Sequence, residues 1–174
     1  MASALKNLSA YDAENMPSAA PFAFGIVVAE WNSDITHALY EGCKDTLLLH
    51  AADPDNIYTA QVPGAFELPA AARMLLHAHK LDAVICLGCV IKGETAHNEY
   101  INMSVAQGLT QLSLSSGKAC IFGVLTPNDA QQAHDRAGGI HGNKGVEAAQ
   151  TAIRMAHLRQ QIIDDAKKST KIGF

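Results

Sequence analysis

Apolar and polar positions alternate along this chain in two kinds of block. Phe24 to Ala29 and Ala119 to Leu125 are short apolar runs, and Ala83 to Ile91 is a longer one. That longer run holds no charge and no proline, and Gly88 is its one gap. Such runs read as strands buried on both faces, as in the middle of a parallel sheet. Ile57 to Val62 is more polar, which places it nearer an edge. Between and after the strands, apolar residues recur at helical spacing: Ile35, Leu39, Cys43 and Leu47; Leu68, Ala72 and Leu75; Ile101, Val105, Leu109 and Leu112; Val146, Ala149, Ile153 and Ala156.

Punctuation residues set the expected bounds. Ser33 or Asp34 caps the first helix, and Pro69 sits in the first turn of the second. The third begins near Ala96 and runs to about Ser115, and a fourth runs from Pro127 and Asn128 to about Arg136. A glycine-rich break over Gly138 to Asn143 precedes a last helix, Lys144 to about Ala166. The order β-α-β-α-β-α-β-α-α predicts an α/β protein, a three-layer α-β-α sandwich on a four-stranded parallel sheet with right-handed crossovers. Residues 22–166 form one domain in this reading. Residues 1–21 form a mobile or partner-dependent N-terminal arm, and 167–174 a polar C-terminal tail.

The 174 residues are 48% hydrophobic and 17% charged, which is globular rather than disordered. A net charge of -4 without any dense basic face argues against nucleic acid as a partner. No apolar run is long enough for a membrane span and the amino terminus has no signal-peptide core, so the expected location is the cytoplasm. Of the four cysteines, Cys86 and Cys89 lie three apart on one strand and point to opposite faces, the wrong arrangement for a shared metal. With Cys43 and Cys120 they read as reduced core thiols, and no metal site is expected.

In a parallel α/β sheet, ligands bind at the carboxyl ends of the strands. Four strand ends therefore share a rim: Glu30-Trp31-Asn32, Pro63-Gly64-Ala65-Phe66-Glu67, Lys92-Gly93-Glu94-Thr95-Ala96-His97 and Leu125-Thr126-Pro127-Asn128. No GxGxxG follows the first strand, and Trp31 stands at its mouth instead. This argues against NAD or FAD binding by the Rossmann route, and an aromatic platform for a flat heterocycle is favoured over simple packing. Glu67 reads either as a helix cap or as an acceptor for ligand hydroxyls. Lys92 to His97 leads into a helix whose free N–H groups and dipole suit an anion. His97 stands beside that anion; the helix end disfavours imidazolium and a phosphate favours it, a balance suited to acid–base work. Arg136 reads equally as a dipole partner at a helix end and as a phosphate clamp, across a subunit boundary in the second case. The other seven histidines read as surface or unplaced residues, His50, His77 and His79 among them.

The segments VPGAFELP (Val62 to Pro69), LGCVIKGETAHNEY (Leu87 to Tyr100), FGVLT (Phe122 to Thr126) and DRAG…GNKGVEAA (Asp135 to Ala149) closely resemble those of the 6,7-dimethyl-8-ribityllumazine synthase family, in order and spacing. The resemblance spans about Phe24 to Leu158. It implies a flavodoxin-like fold and a cofactor-free condensation of 5-amino-6-(D-ribitylamino)uracil with 3,4-dihydroxy-2-butanone 4-phosphate, the penultimate step of riboflavin biosynthesis. By position, Trp31 is implied to stack on the pyrimidine with Asn32 beside it. Gly64, Ala65, Phe66 and Glu67 surround the ribityl chain, and Cys89, Val90 and Ile91 line the ring edge. Gly93, Glu94 and Thr95 hold the butanone phosphate with Arg136 of a neighbouring subunit. His97 is the catalytic histidine, Phe122 closes the pocket, and Lys144 and Glu147 stand near the site.

Three positions depart from the family pattern. Glu30-Trp31-Asn32 replaces R-F-N, Lys92 replaces Arg, and the turn before the last helix reads GGIHGNKG in place of GTKAGNKG. A non-catalytic carrier of the bicyclic product would need Trp31 and Glu67 but not His97, Arg136 and the anion turn together. The resemblance also implies homopentameric rings with sites between subunits and riboflavin synthase as an associate. Separately, a four-stranded sheet has two edges, and the N-terminal arm is available to shield one by adding a strand to a neighbour's sheet. The six-residue turn Gly138 to Asn143 matches the short form of sixty-subunit shells built from twelve pentamers.

Overall fold

The computed structural model describes residues 15–169. Four strands, β1 (Phe24–Ala29), β2 (Ile57–Val62), β3 (Ala83–Cys89) and β4 (Ala119–Leu125), form a sheet in the order β2-β1-β3-β4, all pairs parallel. The central pair, β1 and β3, is buried along its full length. Period-two alternation sends Phe24, Ile26, Val28, Ala83, Ile85, Leu87 and Cys89 into one core layer. Val27, Ala29, Val84 and Cys86 enter the other. Cys86 and Cys89 thus face opposite sides, as their spacing predicts. All four cysteines are free thiols, three buried and Cys120 half-buried.

Helices α1 (Ser33–Leu49) and α5 (Lys144–Ser169) cover the first face, and α2 (Leu68–Ala78) and α3 (His97–Ser116) the second. The α1 stripe Ile35, Leu39, Cys43 and Leu47 is fully buried. Here α1 and α5 pack so closely that a Cβ at Gly145 would collide with the Leu39 carbonyl. By contrast α3 buries only Val105 and Leu109 in twenty residues, and leaves Tyr100, Met103 and Leu114 exposed. This is the flavodoxin-like α/β arrangement, with β2 and β4 as its two edges.

Several expected bounds move, each for a local reason. Strand β3 ends at Cys89 rather than Ile91, because its last partner on β1 is Val28 opposite Leu87. Only the β4 side continues, through Val90 N–H to the Leu125 carbonyl at 2.8 Å. Helix α1 is not capped by the side chain of Ser33 or Asp34; Asn32 holds the cap position in a left-handed conformation, without a side-chain cap bond. Helix α4 (Ala130–Asp135) starts three residues after Pro127, because Asp129 takes the cap role and accepts the Gln132 N–H at 2.8 Å. The glycine-rich break is a small antiparallel hairpin, β5 (Ala137–Gly139) with β6 (Gly142–Asn143). Its strands are too short to show periodicity. Helix α5 continues to Ser169, into the first residues expected as tail, with Lys167 on Asp164 at 3.4 Å and Lys168 on Asp165 at 3.3 Å; residues 170–174 lie outside the described part.

The expected arm is held at its far end. Ala19 is buried and donates its N–H to the His50 carbonyl at 2.7 Å, and His157 Nε2 meets the Ser18 carbonyl at 2.7 Å. Residues 1–14 lie outside the described part. His50, expected at a polar surface, is buried instead at the end of α1, and His79 stacks on Tyr58 with ring centroids 3.8 Å apart.

Candidate active site

The carboxyl ends of β1, β2 and β3 open into a pocket of about 680 Å3. It is lined by Trp31, Asn32, Gly64, Ala65, Phe66, Glu67, Gly93, Thr95 and His97 from the expected rim, and by Cys89, Val90 and Ile91, which the family resemblance implied. Each wall has a sequence cause. The first wall is Trp31, whose side chain is 74% exposed and whose N–H reaches the Pro63 carbonyl at 3.3 Å. Asn32 donates from Nδ2 to the Cys89 carbonyl at 2.9 Å, joining the first wall to the third. In the second wall a short 3-10 turn, Ala65–Glu67, runs into α2. Glu67 Oε2 accepts the Gly64 N–H at 3.0 Å, so the capping and pocket readings of this residue are one arrangement: the cap fixes the carboxylate in the wall. The third wall is the chain after β3. Cys89 is 4% exposed, and burial, reinforced by the charge of Asp34, pushes its thiol up to about 11. It is therefore a neutral wall and not a nucleophile at neutral pH.

Beyond the third wall, His97 is the first residue of α3, and its N–H is met by the Thr95 hydroxyl at 3.4 Å. The helix has no side-chain cap from Ala96, whose carbonyl accepts the Glu99 N–H at 3.0 Å and the Tyr100 N–H at 3.4 Å, and the positive end of its dipole lies at the rim. At Gly93 an added Cβ would meet nothing within 4 Å, and its φ is not positive. No contact inside the chain requires glycine there.

Four predicted site residues lie outside this pocket in a single chain. Glu94 is exposed in the same turn as Gly93 and Thr95 but does not line the cavity. Phe122 sits mid-β4, opposite Cys86, three residues short of the rim. It lines a separate hollow of about 250 Å3 with Ala106, Leu109, Thr110 and Leu114. Arg136 and Lys144 flank the hairpin and converge on Glu147. Arg136 Nη2 meets Oε1 at 2.7 Å and Lys144 Nζ meets Oε2 at 3.1 Å, while Arg136 Nη1 donates to the His141 carbonyl at 2.6 Å. Arg136 and Lys144 thus share one carboxylate at this second location. Asn98, Tyr100 and Ile101 line the pocket and were not predicted as site residues. Helical spacing from His97 was the available signal, since positions three and four residues on share its face. Among the described residues, no group of three or more His, Cys, Asp or Glu side chains is placed to hold a metal ion.

A parallel α/β sheet with an aromatic, carboxylate and histidine pocket at its carboxyl rim places the chain among flavodoxin-like proteins with a small-molecule pocket. The sequence model of the 6,7-dimethyl-8-ribityllumazine synthase family matches residues 21–160, and the chain belongs to that family. It is 51% identical over 160 residues to the 6,7-dimethyl-8-ribityllumazine synthase of Porphyromonas gingivalis, covering 92% of this chain and 99% of that protein. The enzyme of the same name from Cytophaga hutchinsonii is 53% identical over 155 residues, 89% of this chain and 97% of that one. That of Parabacteroides distasonis is 50% identical over 158 residues, 91% and 99% respectively.

Proposed function

We propose that the rim pocket condenses 5-amino-6-(D-ribitylamino)uracil with 3,4-dihydroxy-2-butanone 4-phosphate to give 6,7-dimethyl-8-ribityllumazine, with loss of phosphate and water. The chain is a transferase of riboflavin biosynthesis by its family. The observation that carries the residue assignment is the joining of Trp31, Glu67 and His97 in one cavity.

In this reading the pyrimidine lies on Trp31, its ring edge meets backbone groups of Cys89 to Ile91, and the ribityl hydroxyls meet the Glu67 carboxylate. The butanone phosphate sits at Gly93 to Thr95 and the amino end of α3, where the open space at Gly93 lets an anion approach the backbone. Holding amine and ketone together lowers the entropic cost of their union. His97 moves protons during imine formation and phosphate elimination, and the helix end stabilises the departing phosphate.

A second copy of the chain completes the site. Phe122, Arg136 and Lys144 lie away from the pocket of their own chain, while α3 buries little of its own surface. Both observations support a ring in which one subunit's rim meets the β4 and hairpin side of the next, with Phe122 closing the pocket and Arg136 holding phosphate. The ring is a pentamer, and the short turn before α5 favours a shell of twelve pentamers; riboflavin synthase is the expected associate. Among the described residues, no helix is long and apolar enough to cross a membrane, in keeping with a cytoplasmic site of action.

Mixing the two precursors with the purified protein and following the product's absorbance tests the activity. Formation well above the spontaneous rate is expected, whereas binding of product without consumption of precursors would leave only a carrier. Light scattering tests the assembly: a shell is about twelve times heavier than a ring, and an active monomer would overturn the shared site.

A further inference from the structure

We infer that Asn32 is a positioning residue that fixes the Trp31 platform against the β3 wall, an inference resting on the reading of Trp31 as the pyrimidine's stacking partner. The argument begins where the central pairing stops. β1 and β3 are in register only as far as Val28 opposite Leu87. Past that point the two strands have no ladder between them, yet Cys89 is 4% exposed and its carbonyl needs a donor. The Asn32 side chain supplies it, Nδ2 to carbonyl at 2.9 Å, bridging positions 57 apart in the chain.

Reaching that carbonyl fixes the backbone. Asn32 has φ 57° and ψ 52°, the left-handed region that asparagine tolerates better than most residues. Its own carbonyl accepts the N–H groups of Ile35 and Thr36, both at 3.0 Å, and so starts α1. Trp31 is tied on its other side by its N–H to Pro63. The indole itself is largely exposed, so packing within the chain does little to fix its plane. The backbone on either side must do so, and the Asn32 to Cys89 bond is its link to the opposite wall.

Three variants separate positioning from a purely structural part. Asn32→Gly keeps the left-handed backbone and removes the bridge. Asn32→Asp keeps size and a helix-start residue but turns a carboxylate oxygen toward the Cys89 carbonyl. Asn32→Ala loses both the bridge and the backbone preference. Trp31 is the sole tryptophan, so its fluorescence reports the platform directly. Titration with 6,7-dimethyl-8-ribityllumazine should show about 10-fold weaker binding for the Gly and Asp variants, the size of one lost hydrogen bond. The KM for the pyrimidine should rise alike, while that for the four-carbon phosphate stays within about twofold. Faster local anisotropy decay of Trp31 in ligand-free Asn32→Gly is expected as well. Wild-type affinity in Asn32→Gly, or an equal rise in both KM values, would overturn the positioning role. If the wild-type protein itself binds no lumazine, the pyrimidine reading fails, and unchanged anisotropy decay in Asn32→Gly would then overturn the positioning role separately.

Discussion

The two ends of the parallel sheet follow opposite rules. At the amino ends of the strands, polar groups are cross-tied. Asp82 accepts the Ala23 N–H at 3.0 Å and faces Lys118 and Arg159, each at 3.8 Å, while Arg159 Nε donates to the Gly117 carbonyl at 3.1 Å. One carboxylate there joins the entries of β1, β3 and β4 to α5. At the carboxyl ends Trp31, Phe66 and Tyr100 are exposed around an open cavity. The difference teaches where this fold keeps stability and where it keeps chemistry. Parallel strands aim the amino ends of the following helices at one rim, and that rim must stay open to bind anything.

Substitutions at the carboxyl rim should change turnover more than stability, with the reverse at the amino rim. Arg136→Ala is expected to have the largest effect. Losing a charge-assisted phosphate contact of about 2 kcal/mol raises the KM of the four-carbon phosphate by roughly 30-fold and barely moves that of the pyrimidine. Equal effects on both substrates would count against the phosphate role. His97→Ala should slow lumazine formation by about 10-fold, with an unchanged melting temperature; wild-type turnover at pH 7 would remove His97 from the mechanism.

Asp82→Asn tests the other end. It keeps an acceptor for Ala23 but loses the charge facing Lys118 and Arg159, and should cost about 1 kcal/mol in denaturant unfolding while turnover holds. Lost turnover with unchanged stability would break the division between the ends. The smallest effect is a dependence on alkaline pH. Burial raises the thiol of Cys89 from 9.0 to about 11, and those of Cys43 and Cys86 rise too. The folded thiols hold their protons where unfolded ones ionise. Their stabilisation is complete below about pH 9 and declines as pH rises toward 11. Melting curves from pH 8 to pH 10.5 should show the decline, and Cys43→Ala should flatten it. A slope unaltered by removing thiols would assign the loss to other groups.

Much of the rim was legible because it follows from strand periodicity. Once Phe24 to Ala29, Ile57 to Val62 and the run from Ala83 are strands of one parallel sheet, their carboxyl ends must share a side, and Trp31, Glu67 and His97 come with them. The β5–β6 hairpin was not legible, since strands of three and two residues carry no pattern. Nor was the burial of His50, which depends on residues around Ala19 folding back over the end of α1.

By itself the sequence determined the element order, the four-stranded sheet, the family and the residue types at the rim, because hydrophobic period and motif spacing are local properties of the chain. Tertiary structure decided which of those residues meet. It placed Phe122 and Arg136 away from the pocket of their own chain, turned the Glu67 cap into a fixed wall, and committed the Asn32 amide to Cys89 across 57 positions. Such pairings depend on where two strands stop hydrogen-bonding and how far a side chain must reach to replace the missing bond. No local pattern contains that distance.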